Sequence, residues 1–101
     1  MEVTITSSLD AALADFALRW RAKKLSLFGS MLREDFGSAS DVDVLIDFEG
    51  GAFWGVDEWI TMRDELEALF GWRVDLVSRD SLRNLFVRAE VLRTRRVLHA
   101  A

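Results

Sequence analysis

The chain has 101 residues, half of them hydrophobic and 30% charged, with 17 acidic against 13 basic side chains and a net charge of −4. That length fits one domain spanning 1–101 with a single core, and the acidic balance argues against a strong nucleic-acid binder, which would be basic. With no cysteine and one histidine, disulfides, thiolate zinc sites, iron–sulfur clusters and His-rich metal centres are excluded; any metal must be hard and carboxylate-bound.

The absence of cysteine fits a cytoplasmic protein. No apolar run nears the ~20 residues of a membrane span, and no basic-then-apolar N-terminal segment signals secretion. Ser7 is placed to cap a helix over 8–22. Its Leu9, Ala12, Leu13, Phe16 and Trp20 fall on one face at ~100° per residue. Lys24–Gly29 reads as a short strand entering a Gly-Ser turn, and Ser30–Asp35 as a brief helix. Asp41–Phe48 alternates as a strand: Val42, Val44 and Ile46 point one way, Asp41, Asp43, Leu45 and Asp47 the other. Glu49–Gly55 is a Gly-rich loop carrying Phe53 and Trp54.

A helix is expected over 56–70, with Val56, Trp59, Ile60, Leu66, Leu69 and Phe70 as its apolar stripe and Gly71 as its stop. Arg73–Val77 is a third strand. Ser78–Ser81 offers caps for a helix reaching about Arg93, whose stripe is Leu82, Leu85, Phe86 and Ala89, and Arg96–His99 closes the sheet. The fold class is therefore α/β or α+β, a small mixed sheet flanked by helices. Charge divides along the chain. Residues 1–80 hold 8 basic and 16 acidic groups, whereas 81–101 hold five arginines and Glu90 alone. The simplest reading of that tail is a solvated helix face. Leu18, Val87 and Val91 lie off their stripes and, with Phe53 and Trp54, could form a partner surface. Trp20, Trp59 and Trp72 read as core, and Trp54 as a lid or partner contact.

The chemistry concentrates between Gly29 and Asp43. Asp41 and Asp43, two apart on a strand, leave the same face, and two carboxylates so close repel unless a cation or proton intervenes. Mg²⁺ suits such a pair, taking one or two carboxylates and leaving positions for water and phosphate oxygens. Gly29-Ser30, a strand end opening into a helix, suits a phosphate. Asp75 has the same strand context; if its strand neighbours the second, three carboxylates could hold two metals for an in-line displacement. Alone, Asp75 would read as a solvated acid. Arg33 could contact a phosphate or pair with Glu34 or Asp35. An EF-hand fails because Ile46 stands where its glycine belongs, and no P-loop sequence is present.

Gly29-Ser30, a ten-residue gap and Asp41-Val42-Asp43 resemble the signature of the DNA polymerase β-type nucleotidyltransferases. Leu27-Phe28-Gly29-Ser30, Arg33, Ser40 to Asp43 and Val74-Asp75-Leu76 are similar to the smallest branch, the minimal nucleotidyltransferases. Glu34, Gly37-Ser38 and Arg95 depart from its usual residues. The resemblance implies a nucleotidyltransferase fold and Mg²⁺-dependent transfer of a nucleoside monophosphate, AMP from ATP, to a hydroxyl. It implies Asp41, Asp43 and Asp75 as catalytic and metal-binding residues, Asp75 serving the acceptor, and Gly29, Ser30 and Arg33 as nucleotide-binding. It also implies the antitoxin of a pair whose partner is a helical HEPN ribonuclease toxin, adenylylated on a tyrosine in a hetero-oligomer. The alternative is a module that neutralises such a toxin by contact alone.

Overall fold

The structure, a computed structural model, describes residues 6–29 and 41–100. Helix α1 (Ser7–Trp20) leads into strand β1 (Ala22–Phe28); β2 (Val42–Phe48), α2 (Val56–Phe70) and β3 (Val74–Ser78) follow. A 3-10 turn at Arg79–Ser81, α3 (Leu85–Thr94) and β4 (Arg96–Ala100) complete the order. The expected brief helix Ser30–Asp35 lies outside the described residues.

The four strands form one mixed sheet in the order β3-β2-β1-β4. β1 runs antiparallel to both β2 and β4, and β2 runs parallel to β3. One face is the core. Leu25, Leu27, Val42, Val44, Ile46, Val74 and Leu76 meet Leu13, Phe16 and Ala17 of α1 and Met62, Leu66 and Phe70 of α2. The alternation read in β2 thus sends its valines inward. The opposite face is partly covered as well: Leu45, Ser26 and Asp47 are all buried. Its cover follows from topology. β3 and β4 are opposite edges and run parallel, so the chain between them must cross the sheet. Asp47, 5% exposed, receives Arg95 Nη1 at 3.5 Å from the end of that crossing. Asp47 and Arg79 line a cavity of about 60 Å³, room for water to meet the buried Asp47 Oδ1 and Arg79 Nε, which have no partner among the described residues.

Several details differ from the sequence reading. α1 is capped by Thr6, not Ser7, with Leu9 N donating to Thr6 Oγ1 at 3.1 Å. It ends two residues early because Arg21 adopts a left-handed conformation, φ 57°, which frees Ala22 to start β1. Gly71 ends α2 as expected, at φ 68° with its N–H donating to Glu67 O. The α2 stripe is rotated: Met62 is at its centre, and Val56 and Ile60 are exposed. Trp20, Trp59 and Trp72 pack against the core. Trp54 is neither lid nor free contact. It sits edge-on to Trp20 at 5.2 Å and donates Nε1–H to Trp20 O at 3.1 Å, while Phe53 remains exposed.

α3 departs furthest. Asn84 caps it, accepting from Phe86 N and Val87 N at 3.0 and 3.2 Å, so Ser78–Ser81 serves the preceding turn instead. None of its ten residues is buried, and the half-buried ones are Arg88, Val91 and Leu92. The expected inner stripe is outward: Leu85 is 74% and Phe86 88% exposed.

α1 and α2 are also tied by charge. Arg19 Nη1 and Nη2 donate to the two Glu65 oxygens at 3.1 and 2.8 Å, and Trp20 Nε1 donates to the same carboxylate at 3.3 Å. These hydrogen bonds, Arg19's first, hold Glu65 below its ordinary carboxylate value. A depressed folded value contributes stability above the ordinary value and loses it as pH falls through the lowered one. Glu65→Gln should therefore cost about 1 kcal/mol at neutral pH, given how exposed the pair is. Thermal unfolding from pH 7 to strong acid should show that difference shrinking to nothing.

Candidate active site

The first requirement of the site is met by strand pairing. In the parallel β2–β3 ladder Val42 pairs with Val74, Asp43 with Asp75 and Val44 with Leu76. Partners in such a ladder point the same way and stand ~4.8 Å apart, so Asp43 and Asp75 are side by side on the face away from the core. Two neighbours fix that pairing. Val42 N donates to Arg73 O at 2.8 Å, and Val74 N donates to the Glu67 carboxylate at 2.9 Å. α2 thereby sets where the Asp75 strand begins.

The second requirement is met at the end of β1. Phe28 pairs with Asp43, and Gly29 follows at φ +68°. A Cβ built on Gly29 would run into the Asp43 carboxylate. Glycine is needed here twice, for the left-handed backbone and for the space. The strand end and the Asp43 carboxylate are consequently in close approach, as a phosphate held beside a metal ligand would demand.

Asp41 shares the face and ends just before β2. Its Oδ1 accepts from Arg73 Nε at 2.9 Å, a pair about half exposed at both ends, and Arg73 also lies over the Trp72 ring at 5.3 Å. Among the described residues no group of three or more acids or histidines is close enough to hold a metal ion. Asp43 and Asp75 are thus brought together, Gly29 is brought against Asp43, and Asp41 is turned to Arg73. Ser30 and Arg33 lie outside the described residues, as do Glu34, Gly37 and Ser38.

Sequence reading passed over Arg73 and Glu67. Arg73 was legible in principle: it shares the Asp75 face of RVDLV and precedes the residue paired with Val42. Glu67 left no signal, because a helix carboxylate capping a strand amide depends on how α2 docks. The donor set suits Mg²⁺. It is all hard oxygen, two adjacent carboxylates meet that ion's usual protein share, and the missing Gly29 side chain leaves the Asp43 carboxylate room.

The comparisons agree with the geometry. The model of the nucleotidyltransferase domain matches residues 9–98. The chain is 38% identical over 80 residues to the protein adenylyltransferase MntA of Thermococcus cleftensis, covering 79% of each. It is 27% identical over 73 residues to a Methanocaldococcus jannaschii protein provisionally named for the same activity, covering 72% of this chain and 73% of that one. A solved structure provisionally described as a minimal nucleotidyltransferase superposes with a TM-score of 0.69 at 32% identity, over 88% of this chain and 87% of that one. The chain belongs to the nucleotidyltransferase domain family and, within it, to the minimal nucleotidyltransferases.

Gly29→Ala tests the close approach. It should cost about 1–2 kcal/mol, from positive φ and displacement of the Asp43 carboxylate together. In an Asp43→Ala background only the backbone part should remain. Denaturant unfolding of the two single variants and the double variant measures the difference, and a cost unchanged by the second substitution would mean that the carboxylate is not the obstacle.

Proposed function

We propose that this chain transfers AMP from ATP to a hydroxyl on a partner protein, and that it is the antitoxin of a pair whose toxin is a helical HEPN ribonuclease. The observation carrying the catalytic part is the pairing of Asp43 with Asp75 on the sheet face away from the core, beside Gly29. The protein acceptor is supported by relatives named protein adenylyltransferases. No helix among the described residues is long and apolar enough to cross a membrane. The chain also has no tyrosine, so a tyrosine acceptor must come from another protein.

In the proposed reaction the acceptor oxygen attacks the α-phosphorus and the bond to the bridging oxygen of pyrophosphate breaks. Pyrophosphate leaves with the electron pair of that bond, and the hydroxyl proton passes to the Asp75 carboxylate. Asp43 and Asp75, with Asp41, would hold Mg²⁺, which when bound supplies positive charge against the phosphate oxygens. Gly29, Ser30 and Arg33 would seat the triphosphate, Gly29 by letting the backbone come close.

The contact-only alternative draws support from the outward Leu85 and Phe86, which suit partner binding whether or not chemistry follows. Intact-mass spectrometry separates the readings. With Mg²⁺ and ATP, the wild-type chain should add AMP to the protein encoded beside it. Asp43→Asn should reduce addition to background. Asp75→Asn should slow turnover ~100-fold or more, as for loss of a general base, with a much smaller change in ATP affinity. A wild-type chain that adds nothing yet neutralises its partner fully would leave contact as the whole function.

A further inference from the structure

The helix between β3 and β4 is unusual in what it turns outward. α3 buries none of its ten residues, and its most apolar side is its wettest. Leu85 is 74%, Phe86 88% and Val87 49% exposed, and Val97 on the adjoining edge strand β4 is 45% exposed. Isolated exposed hydrophobes are ordinary, but Leu85, Phe86 and Val87 are successive residues at the start of one helix, one of them an aromatic this exposed, and together they form a surface that water disfavours. Aromatic residues of this kind are typical anchors of protein interfaces.

Two further observations say what covers it. The first is charge. Among the described residues Arg83 and Arg96, exposed at the two ends of the helix, make no ion pair, and the acid of the helix, Glu90, is already engaged by Arg93 at 2.8 Å. The apolar patch therefore has a basic rim on a chain that is acidic overall. The second is position. Asp43, Leu45 and Asp47 project from one face of β2, and Asp47 meets Arg95 at the end of α3. The crossing from β3 to β4 therefore runs over the face that carries Asp43 and Asp75. Whatever rests on the outer side of α3 lies on the same side of the molecule as the two carboxylates.

We infer that the outer face of α3, with Phe86 at its centre, Leu85 and Val87 flanking it, and Arg83 and Arg96 at the two ends of the helix, is the docking surface for the acceptor protein, and that the acceptor meets it with an apolar patch flanked by acidic side chains. The inference rests on the adenylyl-transfer reading for the identity of the occupant. Docking here would hold the acceptor hydroxyl at high effective concentration beside the acids. It would also explain how so small an enzyme selects a substrate: recognition is delegated to the outer side of a helix that buries none of its own residues.

The test uses the full chain and, as probe, the purified protein encoded beside it. Phe86→Glu and the pair Arg83→Glu/Arg96→Glu are made separately. The Asn84 cap uses backbone N–H groups of residues 86 and 87, and the Phe86 side chain is almost fully exposed, so the Phe86 variant should fold with an unchanged melting temperature. Phe86→Leu, which keeps an apolar side chain, should retain most of the binding. Phe86→Glu should raise KM for the acceptor at least tenfold and weaken binding in calorimetry to match, with kcat at saturating acceptor and affinity for ATP unchanged. The arginine pair should weaken binding less at high salt than at low salt, because screening removes the same charge contribution in the wild type.

Unchanged KM and binding in Phe86→Glu would overturn the docking surface while leaving adenylyl transfer standing. Binding that depends on Phe86 without any AMP added would leave the surface standing and overturn the transfer. A wild-type dimer in sedimentation that Phe86→Glu dissociates would assign the face to a second copy. Duplex DNA or RNA binding lost in the arginine variant would assign it to nucleic acid. Either of these last two results overturns the proposal.

Discussion

Everything at this site depends on the register of one parallel ladder. Asp43 faces Asp75 because β2 and β3 pair with no offset between the two acids. Like charges directly opposite on neighbouring strands destabilise a sheet, so the arrangement is unfavourable by itself and has to be imposed. The other side of the same strands imposes it. Val42, Val44, Ile46, Val74 and Leu76 are all buried against α1 and α2, and a slip by one residue would exchange those side chains with Asp41, Asp43 and Asp75. Hydrophobic burial, at about 1.5–3 kcal/mol per large side chain, thus fixes the carboxylates where their mutual repulsion would not put them.

The rest of the site is arranged around that pair. Gly29 gives up a side chain so that the end of β1 can approach Asp43. Glu67 ties the first amide of β3 to α2, and Arg73 draws Asp41. The crossing from β3 to β4 then brings Arg95 onto Asp47 at the far end of the acid-bearing face.

The strands and their acids were legible in the sequence because they obey strong local rules. DVDVLIDF alternates with a period of two, RVDLV repeats that alternation, and Gly29 and Gly71 mark ends where backbone sterics demand glycine. That β3 lies beside β2 and parallel to it was left open by the sequence and is seen in the ladder itself. α3 was not legible. Leu85, Phe86, Val87, Val91 and Leu92 spread apolar residues around most of a short helix, so periodicity selects no face, and only the way the chain re-enters the sheet at β4 decides which side is inward. Trp54 was misread for a related reason: a tryptophan on a Gly-rich loop looks free until the Trp20 ring and carbonyl are placed beside it. The burial of Asp47 by Arg95 joins residues 48 apart in sequence and depends on the same crossing.

The claim at the centre of this account is that Asp43 and Asp75 form a site for a metal–nucleotide complex. Calorimetric titration of the chain with ATP, with and without Mg²⁺, tests it most directly. The paired carboxylates should repel free ATP, whereas Mg²⁺ shared between them and the phosphate oxygens should reverse the sign of that interaction. Binding should accordingly be strong with Mg²⁺ and nearly absent without it, and Asp43→Asn should remove most of the difference. Equal affinity for ATP in the two conditions would contradict the account.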